Sequence, residues 1–195
     1  MNKSKKNPAA VALGSIRSEA KAKAARANGR KGGRPRLQDL VKALAWNDAF
    51  GCYTRPGMEK YLWPKIAKRA RAIVYFDIDG MHEINQAHRG YEYADSIIRE
   101  VFSSLRGSDY AAGQWKSGDE FIVVITLPDK PGPYDVRTID PDGLATRLEN
   151  EFSKRGITAS FATVEVIGQD LEKIIGPAVD KVYKLKKQKG RTRPR

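Results

Sequence analysis

The chain has 195 residues, 41% of them hydrophobic, which is enough for one good-sized core but leaves little room for a second domain. Its single cysteine, Cys52, cannot form an internal disulfide, and no apolar run is long enough to span a bilayer or act as a secretory signal. Composition therefore predicts one globular domain in a reducing cytoplasm, with no membrane partner.

The net charge of +13 is distributed unevenly along the chain. Residues 1–40 contain 11 Lys/Arg and 2 Asp/Glu, and residues 181–195 contain 8 Lys/Arg and no acidic residue. Residues 41–180 contain 17 Lys/Arg and 21 Asp/Glu, so the globular part is mildly acidic. A polyanionic partner would therefore be bound by the tails rather than by the folded domain.

Residues 1–36 are predicted to form a basic tail, largely disordered or transiently helical, because they have almost no large apolar side chains to bury. Within the tail, RKGGRPR (Arg30 to Arg36) contains the Gly-Arg-Pro core of AT-hooks, which fit the minor groove of A·T-rich DNA. The tail is expected either to bind nucleic acid, with its other basic residues contacting phosphates, or to be only a solvated, solubilising segment.

Residues 37–193 are predicted to form the folded domain. An amphipathic segment at 37–46 and a turn precede a helix at about 56–69. The five apolar residues at 72–76 then indicate a strand covered on both faces. The later pattern predicts a helix at 93–105, strands at 109–115 and 121–127 joined by a tight turn, a loop at 128–141, a helix at 143–155, a strand at 157–166 and a helix at 171–187. This β-α-β-β-α-β-α order is typical of a ferredoxin-like α+β fold, an antiparallel sheet with helices on one face.

Four carboxylates are predicted to share one edge of this sheet. Asp77 and Asp79 follow the first central strand, and Asp119 and Glu120 precede the strand that pairs with it. Like charges this close destabilise a fold unless a proton or a cation neutralises them, and oxygen ligands suit Mg²⁺. The four residues are therefore either a magnesium site or ordinary loop acids beside strand ends.

Three segments resemble a known family: FDIDGMHEIN (Phe76 to Asn85), GYEYAD (Gly90 to Asp95) and KSGDEFIVVI (Lys116 to Ile125). They resemble, in this order, the GGDEF domain of diguanylate cyclases, with an SGDEF variant of the signature. NDAFGCYTR and VDKVYKLKKQKGRTR are similar to the family's opening and closing segments, so the resemblance covers residues 47–193. It implies the nucleotidyl-cyclase palm fold, an α/β sandwich with a central antiparallel sheet flanked by helices.

The resemblance also implies a reaction. The family condenses two GTP molecules to cyclic di-GMP across a two-fold homodimer, each 3′-hydroxyl attacking the α-phosphate of the other nucleotide. Asp77 and Asp119, with the Ile78 carbonyl, are then expected to hold Mg²⁺ or Mn²⁺. Glu120 is expected to ligate the metal or to deprotonate the hydroxyl, which makes Asp119 and Glu120 the expected catalytic residues. Metal ions neutralise charge on a transferring phosphoryl group and lower the pKa of an attacking hydroxyl.

Further positions match the family's substrate contacts. Asn85 and Asp95 match its guanine-reading residues, and the alternatives are a helix cap and a first-turn acid. Either Lys186 or Lys187, together with Arg191, matches its phosphate-binding pair, and without the resemblance this stretch is simply a basic tail.

The remaining candidate residues belong to the signature turn, to a possible phosphate contact and to the family's inhibitory site. The small residues Ser117 and Gly118 would let backbone N–H groups approach phosphates closely. His82 could contact phosphate when protonated, although such a histidine is as often structural. Arg106 and Asp109 reproduce the R-x-x-D of the family's inhibitory product site.

The chain departs from the family at several positions. Ser117 replaces the first glycine of the signature, and His82 replaces the family's phosphate-contacting lysine. Trp115 stands where the family has an arginine, and Gln86 where it often has an acid. One residue is inserted between Asn85 and Gly90. Several functions therefore remain open. The chain is an active diguanylate cyclase, a degenerate domain that binds GTP or cyclic di-GMP as an effector, or a DNA-associated protein in which the fold is only a dimerising scaffold. The altered surroundings of Asn85 also leave open a related cyclase with a different choice of nucleotide.

Overall fold

The computed structural model describes residues 44–105, 110–116, 118–127 and 140–190, and four isolated positions at 19, 22, 23 and 26. The chain divides into two compact units, Met1–Leu40 and Val41–Arg195. The predicted AT-hook segment and the predicted boundary at residue 37 lie outside the described residues. The folded domain belongs to the second unit.

The described part of the second unit contains a mixture of short and long elements. In chain order they are β1 (Trp46–Asn47), β2 (Cys52–Tyr53), a π-helical segment (Gly57–Leu62) that continues as α1 (Trp63–Ile66), β3 (Ala70–Ile78), α2 (Met81–Ala87), α3 (Glu92–Ser103), β4 (Tyr110–Gln114), β5 (Glu120–Thr126), α4 (Pro141–Ser153), β6 (Ala159–Glu165) and α5 (Leu171–Gln188). No helix in the described ranges has both the length and the apolar character needed to cross a membrane.

The strands form one sheet in the order β1-β2-β4-β5-β3-β6. β3 is antiparallel to both β5 and β6, and β4 is antiparallel to β5. These four strands confirm the predicted ferredoxin-like arrangement. The first two strands, which fall at the end of the predicted amphipathic segment and in the predicted turn, extend the sheet at the β4 edge, where β2 pairs in parallel with β4.

Helices cover both faces of the sheet, so the prediction of helices on one face is wrong. Alternate residues of β3 point to opposite sides: Val74 and Phe76 pack with α3 and α4, whereas Ile73 and Tyr75 pack with α1 and α5. The prediction that this strand is covered on both faces is confirmed. The last helix buries its apolar stripe against the second face and thereby brings its C-terminal end to the acidic edge of the sheet.

Cys52 on β2 provides a pH-dependent test of the packing. Burial raises the pKa of its thiol from 9.0 to about 12. The unfolded chain ionises this thiol at the lower pH, so between these values the free energy of unfolding is expected to fall, by up to about 1.4 kcal/mol per pH unit from this group. Urea unfolding from pH 8 to 11 measures the slope. In Cys52→Ala the free energy of unfolding should decline less steeply with pH than in the wild type. Equal slopes would contradict the raised pKa of the buried thiol.

Candidate active site

A cavity of about 990 Å³ opens at the edge of the sheet where β3 ends and β5 begins. The antiparallel register places Asp77 directly opposite Glu120, and the Ile78 N–H donates to the Asp119 carbonyl at 2.9 Å. The four predicted carboxylates all line this cavity, together with the first turn of α2 and the end of α5. The pairing of two strands therefore brings together acids that are 40 or more positions apart in the sequence.

Lys186 reaches this acidic edge from α5. Its ammonium donates to Asp77 Oδ1 at 2.5 Å and to the Ile78 carbonyl at 3.3 Å. Both side chains of the ion pair are largely buried, with 12% of Lys186 and 16% of Asp77 exposed. Lys187 is exposed to solvent. Of the two lysines that match the phosphate-binding position, the structure therefore places Lys186 in the cavity.

Burial dominates the electrostatics of Asp77 and raises its pKa to about 6. The Lys186 ammonium acts in the opposite direction, and the nearby Asp119 and Glu120 carboxylates raise the pKa further. The charged form of Asp77 is therefore costly unless a cation lies against it. Lys186 supplies that cation here.

A second ion pair fixes the end of α5 to the sheet. The Asp79 side chain is buried, accepts a hydrogen bond from Ser160 Oγ at 3.1 Å and lies 3.7 Å from Lys189 Nζ. Lys189 also donates to Ser160 Oγ at 3.1 Å. Asp79 thus joins β3, β6 and α5, and this contact helps to hold Lys186 one helical turn earlier in the cavity.

The donor set at the acidic edge fits a divalent cation in part. The Asp77 carboxylate and the Ile78 carbonyl, the two oxygen donors that the resemblance assigns to the metal, already converge on one cation, the Lys186 ammonium. Within the described ranges, however, no three Asp, Glu, His or Cys side chains come together as a ready-made metal site. Mg²⁺ commonly takes only one or two carboxylates and completes its shell with carbonyl, water and phosphate oxygens, and the Asp77 carboxylate and the Ile78 carbonyl are suitable as the first two donors.

The base-reading candidates do not line the cavity, but one of them has an unusual environment. Asn85 lies inside α2, so it does not cap α3, whose N-cap residue is Tyr91. Its Oδ1 atom is buried without a hydrogen-bond partner among the described residues. Asp95 lies in the first turn of α3, and burial raises the pKa of its carboxyl despite the nearby Arg99.

The other candidates divide between described and undescribed residues. His82 lines the cavity in the first turn of α2, and Gly118 has a positive φ of 22° in the signature turn. Outside the described residues lie Ser117, Arg191, Arg106 and Asp109.

Two contacts near the site were not predicted from the sequence. Trp115, at a position where the family has an arginine, is buried, and the Arg55 guanidinium lies 4.7 Å from the centre of its ring. Tyr75 donates its hydroxyl to Glu120 Oε2 at 2.7 Å. Burial and this hydrogen bond raise the pKa of Tyr75 above its ordinary value, so the hydroxyl keeps its proton.

Solved structures similar to this chain are GGDEF domains. Diguanylate cyclase SiaD from Pseudomonas aeruginosa, solved with its activator SiaC, is 19% identical with a TM-score of 0.58, over 86% of this chain and 68% of that chain. A sensory box/GGDEF family protein from Caulobacter crescentus is 20% identical with a TM-score of 0.56, over 74% and 99% of the two chains. The GGDEF domain of DgcB from Caulobacter crescentus, solved with cyclic di-GMP, is 18% identical with a TM-score of 0.53, over 75% and 89%.

No family model matches the sequence, and a search of curated proteins finds no match. The structural likeness extends over most of this chain and, for two of the three proteins, over nearly all of theirs. The chain has the fold of a GGDEF domain, as its motifs predicted.

Proposed function

We propose that the chain is a diguanylate cyclase, which condenses two GTP molecules to cyclic di-GMP and two pyrophosphates with Mg²⁺ or Mn²⁺. The observation that carries the proposal is the convergence of Asp77 Oδ1 and the Ile78 carbonyl on one cation, beside Asp119 and Glu120 in the same cavity. The shared fold supports it, because similar structures include a diguanylate cyclase and a GGDEF domain with cyclic di-GMP.

In this proposal the cavity binds the triphosphate of one GTP. Asp77, the Ile78 carbonyl, Asp119 and Glu120 would hold a divalent cation, which would neutralise charge on the phosphates and lower the pKa of the attacking hydroxyl. Lys186 would exchange its contact with Asp77 for a contact with phosphate, since a flexible ammonium can bind either partner. His82, which also lines the cavity, is a further candidate for a phosphate contact.

Asn85 is the proposed reader of the base. A buried carbonyl oxygen without a partner costs free energy, and a donor on the ligand would remove that cost. Guanine presents N–H donors that adenine does not have at the same positions. We propose that the unsatisfied Oδ1 atom accepts from an N–H of guanine, the contact that the resemblance assigns to Asn85.

The reaction requires two copies of the chain. Each cavity holds one nucleotide, and each 3′-hydroxyl must reach the α-phosphate of the nucleotide in the other copy. Product formation per mole of chain is therefore expected to rise with protein concentration until the homodimer is fully formed. A rate per chain that is constant over a wide range below and above micromolar concentrations would contradict this.

The Lys186 contact also favours a second candidate, a domain that binds GTP or cyclic di-GMP without turnover. The ammonium already neutralises Asp77, and the acidic side chains do not form a ready-made metal site within the described ranges. Nucleotide could then bind without the metal that catalysis needs.

Product identification separates the two candidates. The purified full chain is incubated with labelled GTP and Mg²⁺, in parallel with labelled ATP, and the products are separated and identified by mass. Cyclic di-GMP from GTP, with no cyclic dinucleotide from ATP, is the expected result. Equilibrium binding of GTP without any cyclic product would contradict the cyclase and support the effector-binding domain.

A further inference from the structure

Tyr75 is a buried polar residue that the roles assigned above do not use. Only 2% of the residue is exposed, and its ring packs in the core between the sheet, α1 and α5. Its hydroxyl emerges at the cavity and donates to Glu120 Oε2 at 2.7 Å. Phenylalanine or leucine would pack equally well in this core, so we expect the hydroxyl to have a role other than packing.

The register of the sheet explains how this hydroxyl reaches the acidic edge. Tyr75 and Asp77 lie on the same face of β3, and Asp77 is directly opposite Glu120 on β5. Tyr75 is therefore the diagonal neighbour of Glu120, at a distance that a long aromatic side chain spans. The hydrogen bond links two residues that are 45 positions apart.

The two opposed carboxylates are held by different donors. Lys186 binds Asp77, and Tyr75 binds Glu120. The lysine is flexible and can leave for phosphate, whereas the tyrosine ring is fixed by the core around it. The tyrosine contact can therefore persist when ligands bind. The tyrosine hydroxyl donates to Oε2 of Glu120, and Oε1 takes no part in that hydrogen bond.

We propose that Tyr75 is a positioning residue that orients the Glu120 carboxylate as a ligand for the divalent cation. Hydrogen bonds from such outer groups fix the rotamer of a metal ligand, and the rigid ring gives this one a defined direction. The inference rests on the proposed function, since it assumes that Glu120 contributes to the metal site.

The direct test is the affinity of the full chain for Mn²⁺, measured by electron paramagnetic resonance in the presence of a non-hydrolysable GTP analogue. Tyr75→Phe keeps the ring and removes only the hydroxyl. It is expected to weaken Mn²⁺ binding about 10-fold or more, the range typical of outer hydrogen-bond partners, in a chain whose circular dichroism spectrum shows that it is still folded. Tyr53→Phe, a half-buried tyrosine on β2 with aromatic neighbours, is the matched control and should bind Mn²⁺ like the wild type.

A double-mutant cycle shows whether Tyr75 acts through Glu120. In the Glu120→Gln background, Tyr75→Phe is expected to cause no further loss of Mn²⁺ affinity. Unchanged affinity in the single variant Tyr75→Phe, or an equal additional loss in the double variant, would overturn the inference. Wild-type Mn²⁺ binding without cyclic di-GMP would instead overturn only the cyclase, so the two failures are distinguishable.

Discussion

Replacing Lys186 with methionine is expected to lower kcat/KM for GTP by about 10- to 100-fold. The reason is that this ammonium is the largely buried cation that contacts Asp77 in the cavity, and a hydrogen bond to a charged group is worth about 1.5–3 kcal/mol, where 1.4 kcal/mol corresponds to tenfold. Methionine keeps the length of the side chain and its helix propensity but removes the charge. The loss should appear mainly in KM, because the proposed contact is with the bound triphosphate.

Lys187→Met is the matched control for this prediction. It removes the same charge from the neighbouring position of the same helix, but Lys187 is exposed and Lys186 is not. Steady-state production of cyclic di-GMP by both variants measures the difference. The control should remain within about twofold of the wild type. Equal losses in the two variants would mean that general positive charge, rather than the cavity contact, is what binds GTP.

Replacing Phe76 with alanine is expected to cost about 3–5 kcal/mol in the free energy of unfolding, the usual range for a large core aromatic. Phe76 lies at the centre of the sheet and is 0% exposed. Its ring centroid lies 5.1 to 6.1 Å from those of four other rings, Phe102, Phe121, Phe152 and Phe161. The alanine variant leaves a cavity between β3, α3 and α4 that rigid neighbours cannot close.

Urea unfolding followed by circular dichroism measures this cost. Tyr91→Ala is the control, because Tyr91 is 72% exposed and should change the free energy of unfolding by no more than about 0.5 kcal/mol. Comparable losses in the two variants would show that the Phe76 cluster is not the centre of the core.

The sequence predicted the sheet well because its strands have strong local signals. The apolar run of β3, the hairpin of β4 and β5 and the amphipathic pattern of α3 all lie within about two residues of their predicted positions. Helix α2 was missed because it is short and offers only two large apolar residues, Met81 and Ile84, which pack against the core while remaining partly exposed. The prediction also missed that helices cover the second face of the sheet. The sequence pattern shows that α5 is amphipathic, but it does not show on which face of the sheet this helix packs.

The acidic edge was predictable for a similar reason. Asp77 and Glu120 adjoin strand ends, and once the topology is fixed their proximity follows from the register. The donors that hold them were harder to find. Lys186 and Asp77 are 109 positions apart. The periodicity of α5 places Lys186, rather than Lys187, four residues after the buried Val182, but this signal was not used. The cluster of Asp79, Ser160 and Lys189 likewise depends on where the end of α5 meets the sheet.

The most direct test of the central claim, that the acidic cavity makes cyclic di-GMP, is the yield of cyclic di-GMP from GTP and Mg²⁺ for the wild type and Asp119→Ala at equal, dimer-forming concentrations. Matching circular dichroism spectra and thermal midpoints would establish that the variant is folded. The account predicts product from the wild type and a loss of about 100-fold or more in the variant. No product from the wild type, or equal product from both proteins, would contradict it.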